Sequence, residues 1–142
     1  IPYPQLAQGS EFRVKFRASW TWQEIIVTAA PEIWISLRAG GSGGYTIRLV
    51  ISPNGELVWR KLSSTYEWYD VRTGFYLESG KPYSFNIYLN LSNDRISLSV
   101  NGTDVLMGAS IGRDTSWLES VTVNLGYGVP FWLDDIQLIR IR

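Results

Sequence analysis

Apolar residues fall at every second position through much of this chain, and the clearest case runs from Lys81 to Leu106. Tyr83, Phe85, Ile87, Leu89 and Leu91 alternate with Ser84, Asn86, Tyr88 and Asn90, the period-two pattern of a strand with one buried face. Ser92-Asn93-Asp94 breaks it with turn formers, and Ile96, Leu98 and Val100 resume it. Asn101-Gly102 tolerates the two positive φ angles of a type I′ turn, so Thr103 to Leu106 is expected to fold back as a third strand.

The same reading extends in both directions. Phe12, Val14, Phe16 and Ala18 alternate with Arg13, Lys15 and Arg17; Ile33, Ile35 and Leu37 alternate with Trp34, Ser36 and Arg38. Ile47, Leu49 and Ile51 face away from Thr46, Arg48 and Val50, and Val121, Val123 and Leu125 from Thr122 and Asn124. Short strands are also expected over Glu24 to Thr28, Glu56 to Arg60 and Ser63 to Val71, with Arg72-Thr73-Gly74 marking a break before Phe75. Met107 to Ser116 reads as an irregular, glycine-bearing loop, and Ala39 to Gly44 as another; the latter lacks the Lys-Ser/Thr of a phosphate loop. Phe131 to Ile141 is a long strand whose apolar parity changes at Asp134-Asp135, which predicts a bulge.

No window carries helical spacing with start and stop signals. The expected fold is all-β, an antiparallel two-sheet β-sandwich (jelly roll) of roughly ten to twelve strands with essentially no helix. Pro2 and Pro4 make residues 1–9 an extended N-terminal arm, and residues 10–142 form a single sandwich domain.

Composition narrows the function classes. Thirteen basic and thirteen acidic residues cancel and are dispersed, so neither nucleic acid nor an anionic membrane is expected as a partner. No apolar run approaches the ~20 residues of a membrane span. Cysteine and histidine are both absent, which removes disulfides, thiolate metal sites and the commonest general base. Seven tryptophans and eight tyrosines exceed what core packing usually demands, and this is the main functional hint.

Three blocks, FRVKF, YSFNIYLNLSNDRISLSVNG and FWLDDIQLIRI, resemble the concanavalin A-like lectin/glucanase superfamily, which includes laminin-G-like domains and carbohydrate-binding modules. The resemblance runs from Phe12 onward and implies a jelly roll whose last strand pairs with its first. Glycosidases of that superfamily place carboxylates at alternate positions on one strand, because one must attack while another protonates the leaving oxygen. Asp134 and Asp135 are adjacent, and Glu24, Glu56, Glu67 and Glu119 lie on separate segments, so the chain is not expected to be an enzyme.

The expected activity is instead non-catalytic, extracellular or cell-surface carbohydrate binding, with a polysaccharide or other glycan as partner. Alternation places Trp34, Arg38, Arg48, Asn86, Tyr88, Asn90 and Asn124 outward, where rings stack on sugar C–H faces and amides and guanidinium groups bind hydroxyls. Trp20, Trp22, Trp68 and Trp117 form a second, loop-borne candidate group, for which the simpler reading is aromatic caps over the sandwich ends. No cofactor is expected; Asp134 and Asp135, with Glu11, Asp104 or Asp114 as further oxygen donors, are candidates for a structural calcium, and the favoured reading is a bulge whose carboxylates are solvated or pair with nearby arginines. Asn90-Leu91-Ser92 and Asn101-Gly102-Thr103 are glycosylation acceptors if the chain follows a secretory route.

A competing reading is a structural subunit of a surface filament or coat, in which residues 1–9 complete a neighbouring copy's sheet by strand addition. Three lysines among thirteen basic residues, with no cysteine, fit a robust, thermostable protein.

Overall fold

The computed structural model describes residues 11–20, 33–40, 45–52, 54–62, 65, 67–111, 117–124 and 131–141. Among them run ten strands: β1 (Glu11–Trp20), β2 (Ile33–Gly40), β3 (Tyr45–Ile51), β4 (Glu56–Leu62), β5 (Trp68–Tyr76), β6 (Tyr83–Asn90), β7 (Arg95–Val100), β8 (Thr103–Ser110), β9 (Trp117–Asn124) and β10 (Phe131–Arg140). The first sheet has the order β10-β1-β6-β7-β8 and the second β5-β4-β3-β2-β9, with the registered neighbours antiparallel. The arm 1–9, Trp22, the strand expected over 24–28 and Asp114 lie outside the described residues.

Alternation builds the core between the sheets. Phe12, Val14, Phe16 and Ala18 of β1, Phe85, Ile87 and Leu89 of β6, and Ile96, Leu98 and Val100 of β7 meet Leu49, Ile51, Leu57 and Trp59 from the second sheet. Phe16 and Phe85, register partners, stack with ring centroids 4.9 Å apart. Each such fully buried side chain contributes roughly 1.5–3 kcal/mol. The period-two pattern thus specifies which face is buried, and a one-residue slip would turn these rings to water.

The turns follow the residues that need them. Asn101 (φ 49°) and Gly102 (φ 78°) make the expected β7–β8 turn, and Ser84 N donates to Asn101 Oδ1 at 2.7 Å. At the β3–β4 hairpin Gly55 has φ 87°, and its carbonyl accepts from Leu77 N at 2.8 Å.

β10 pairs with β1, and it carries the expected bulge. Lys15 faces Gln137 while Arg17 faces Asp134, so Asp135 and Ile136 together oppose Phe16, with Asp135 at φ 53°. Asp134 Oδ1 accepts from Asp135 N at 2.8 Å and holds this geometry.

Two expectations fail at bulges. Arg72-Thr73-Gly74 is not a break between segments: Leu57 faces Phe75 and Val58 faces Arg72, so Thr73 and Gly74 are extra residues inside β5. Thr73 Oγ1 donates to Leu57 O and accepts from Phe75 N, replacing the interrupted ladder. Met107 to Ser110 is not loop but the second half of β8. Register shifts at Ile96/Leu98 and Leu98/Ser99 leave extra residues on β8, and these destroy the alternation by which a strand is recognised.

Candidate functional site

The outer face of the second sheet is laid out by cross-strand register. Thr122 pairs with Ser36, Ser36 with Arg48, Arg48 with Arg60 and Arg60 with Asp70, a polar row running from β9 to β5. One row along, Asn124, Trp34, Val50, Val58 and Arg72 are likewise in register. Of these, Arg48, Val50, Val58, Arg60, Asp70 and Arg72 share a face, because strand side chains alternate and the β3–β4–β5 register carries them side by side.

Two arginines side by side repel, and the sheet gives each a separate companion. Arg60 donates from Nε to Asp70 Oδ1 at 2.8 Å and from Nη2 to Oδ2 at 3.4 Å, a forked pair that fixes both groups. Arg48 lies over the Trp68 ring with Cζ 4.6 Å from the centroid. Trp68 and Tyr69 are nevertheless 41% and 46% exposed. Together Arg48, Arg60, Trp68, Tyr69 and Asp70 line an open cleft of about 360 Å³.

Beside it sits a buried carboxylate. Glu56 is 3% exposed; its Oε1 accepts from Arg72 Nε at 2.8 Å and its Oε2 from Gly74 N at 3.2 Å. The β5 bulge makes this possible, since Gly74 (φ 69°) aims its N–H at the carboxylate. The hydrogen bond to Glu56, then the Glu56 charge and Tyr76, hold Arg72 above the usual arginine range, so it stays cationic. Of these two β4–β5 ion pairs, Arg60–Asp70 lines the cleft and Arg72–Glu56 fixes the bulge farther along the strands.

The sequence-predicted binding residues divide between two faces. Trp34, Arg38, Arg48 and Asn124 are on strands of the second sheet, whereas Asn86, Tyr88 and Asn90 are on β6 of the first. The layout brings Arg48 together with Trp68, from the second aromatic group, and with Arg60 and Asp70, which the sequence pattern did not single out. Trp68 was expected to cap the sandwich end; it instead begins β5 and flanks the cleft. The available signal was the alternation of Trp68, Asp70 and Arg72, obscured by the bulge that follows.

Asp134 pairs in register with Arg17, whereas Glu11 is at the opposite end of β1 and Asp104 is on β8, at the far side of the sheet. Among the described residues no group of three or more carboxylates is placed to hold a metal ion. Asn90 is half-buried, its Oδ1 accepting from Ser92 Oγ and Asn93 N, and Asn101 is exposed in its turn.

No protein-family model matches the chain, and no curated protein matches it. Solved structures do. Human galectin-16 superposes with a TM-score of 0.63 at 14% identity over 99% of this chain and 93% of its own. Alginate lyase A1-II′ of polysaccharide lyase family 7 gives 0.63 at 13% identity over 98% of this chain and 64% of its own. A sialidase gives 0.65 at 14% identity, with 94% of this chain spanning only 13% of that one. These likenesses show a jelly-roll sandwich, the fold that the resemblance read from the sequence implies.

Proposed function

We propose that the outer face of β3, β4 and β5 binds a glycan without catalysing a reaction. The observation that carries this reading is the cleft at Trp68: an aromatic ring, 41% exposed, on the polar face of a sheet, with Arg48 packed on it and the Arg60–Asp70 pair alongside. Indole gives a flat apolar surface for the C–H face of a sugar ring, and the flanking charges give directional hydrogen bonds to its hydroxyls. Because Arg60 and Asp70 are already paired, they present fixed donors and acceptors and lose little side-chain freedom on binding. The galectins among the structural neighbours are consistent with this use of the fold.

The test is binding to a panel of immobilised neutral and acidic polysaccharides, with Trp68→Ala and Asp70→Ala as variants. Trp68→Ala is expected to weaken affinity at least tenfold, equivalent to about 1.4 kcal/mol. Absence of binding across the panel would sink the proposal, as would cleavage of any member.

A second reading, self-assembly, has its own observation. β10 is an outer strand of the first sheet among the described residues, and it exposes Trp132, Ile136 and Ile139. A long apolar edge strand is a template for strand addition by another copy. Light scattering over a range of protein concentrations would show a rising mass under this reading and a constant monomer mass without it.

A further inference from the structure

The outer face of the first sheet, on the other side of the sandwich from the Trp68 cleft, has a hollow of about 250 Å³. At ~30 Å³ per water this is room for about eight waters, on the order of one monosaccharide ring. Register explains its floor: Asn86 lies between Lys15 and Ser99, and Tyr88 between Arg13 and Ser97. β8 forms its rim. Met107 and Gly108 together oppose Ser97, and the bulge leaves Met107 71% exposed at the lip.

The polar groups here are arranged to complement a group that both donates and accepts. Asn86 Oδ1 is buried just under the floor and takes no hydrogen bond among the described residues, a costly state that turning the amide toward a ligand donor would relieve. Ser97 Oγ already accepts from Gly108 N at 2.8 Å, so its proton is available to donate outward. Arg13 is a donor on one wall and Asp104 an acceptor on the other. Tyr88 Oη donates to Glu11 Oε2 at 2.7 Å, which fixes the ring, and the ring and the Met107 thioether supply apolar contact.

Charge then selects the ligand. Arg13 and Lys15 are balanced by Glu11 and Asp104, so an anion gains at one wall and loses at the other, and a cation does the reverse. Hydroxyl groups satisfy both walls at once. We propose that this hollow is a second ligand site, independent of the Trp68 cleft, and that it takes a ring of a neutral sugar.

Amide NMR titration of the full ¹⁵N-labelled chain with lactose, cellobiose and mannobiose, and separately with glucuronate, tests this. The amides of Asn86, Ser97, Ser99 and Asp104 are expected to shift saturably with at least one disaccharide. They should do so equally in Trp68→Ala and stay still with glucuronate. Asn86→Ala and Met107→Ala should each weaken that response about tenfold, and Met107 is so exposed that its loss leaves the fold intact. Shifts confined to residues 48–70, shifts in 86–108 that vanish in Trp68→Ala, an equal response to glucuronate, or no shift in 86–108 with any disaccharide would each overturn it. Shifts in 86–108 with none in 48–70 would keep this site while removing the cleft reading.

Discussion

Glu56 shows what single residues conceal in a sequence. It reads as an isolated acid at the start of a strand, yet it is buried and bonded to Arg72 and Gly74 because two extra residues enter β5 opposite it. The asymmetry of exposure in this pair makes a prediction. Removing Glu56 leaves Arg72, 68% exposed, to be solvated, whereas removing Arg72 strands a carboxylate that is 4% exposed. Arg72→Ala is therefore expected to lower the urea midpoint more than Glu56→Gln does, and an equal or reversed order would contradict the burial argument. Trp68 was hidden for a related reason. Seven tryptophans are visible in the composition, but the alternation that sets Trp68 outward with Asp70 and Arg72 is broken at once by the two extra residues Thr73 and Gly74.

At the scale of elements, alternation and turn chemistry made most strands legible: the β6–β7–β8 run, its Asn101-Gly102 turn and the β10 bulge stand where the pattern puts them. β8 was cut short because extra residues scramble its period, and β5 was split for the same reason. Alternation also says whether a side chain faces in or out, but not which sheet carries it. That is why Asn86 and Tyr88 were grouped with Trp34 and Arg48, which belong to the opposite sheet. Two turn glycines separate conformational cost from steric cost. At Gly102 an added Cβ meets open space, so Gly102→Ala should cost about 1 kcal/mol for its positive φ alone. At Gly55 the Cβ would run into the backbone carbonyl of Leu77, the residue whose N–H bonds the Gly55 carbonyl, so Gly55→Ala should cost about 3 kcal/mol. Denaturant unfolding of the two variants checks the contrast, and similar losses would show that the Leu77 contact yields easily.

For the molecule as a whole, one core supports two outward faces. Phe16 and Phe85 stack within it while Arg13 and Tyr88, on the same strands, face the first-sheet hollow. Phe85→Ala is expected to destabilise the fold by about 3–5 kcal/mol, with both faces lost in a single unfolding transition; separate transitions for the two sheets would contradict a shared core. The central claim is glycan binding at the cleft formed by Arg48, Arg60, Trp68 and Asp70, and its most direct test is titration calorimetry. A polysaccharide found by the panel should bind the wild-type chain and lose at least tenfold in affinity to Trp68→Ala, with thermal unfolding of the variant unchanged. Unaltered affinity in a folded Trp68→Ala variant would contradict it.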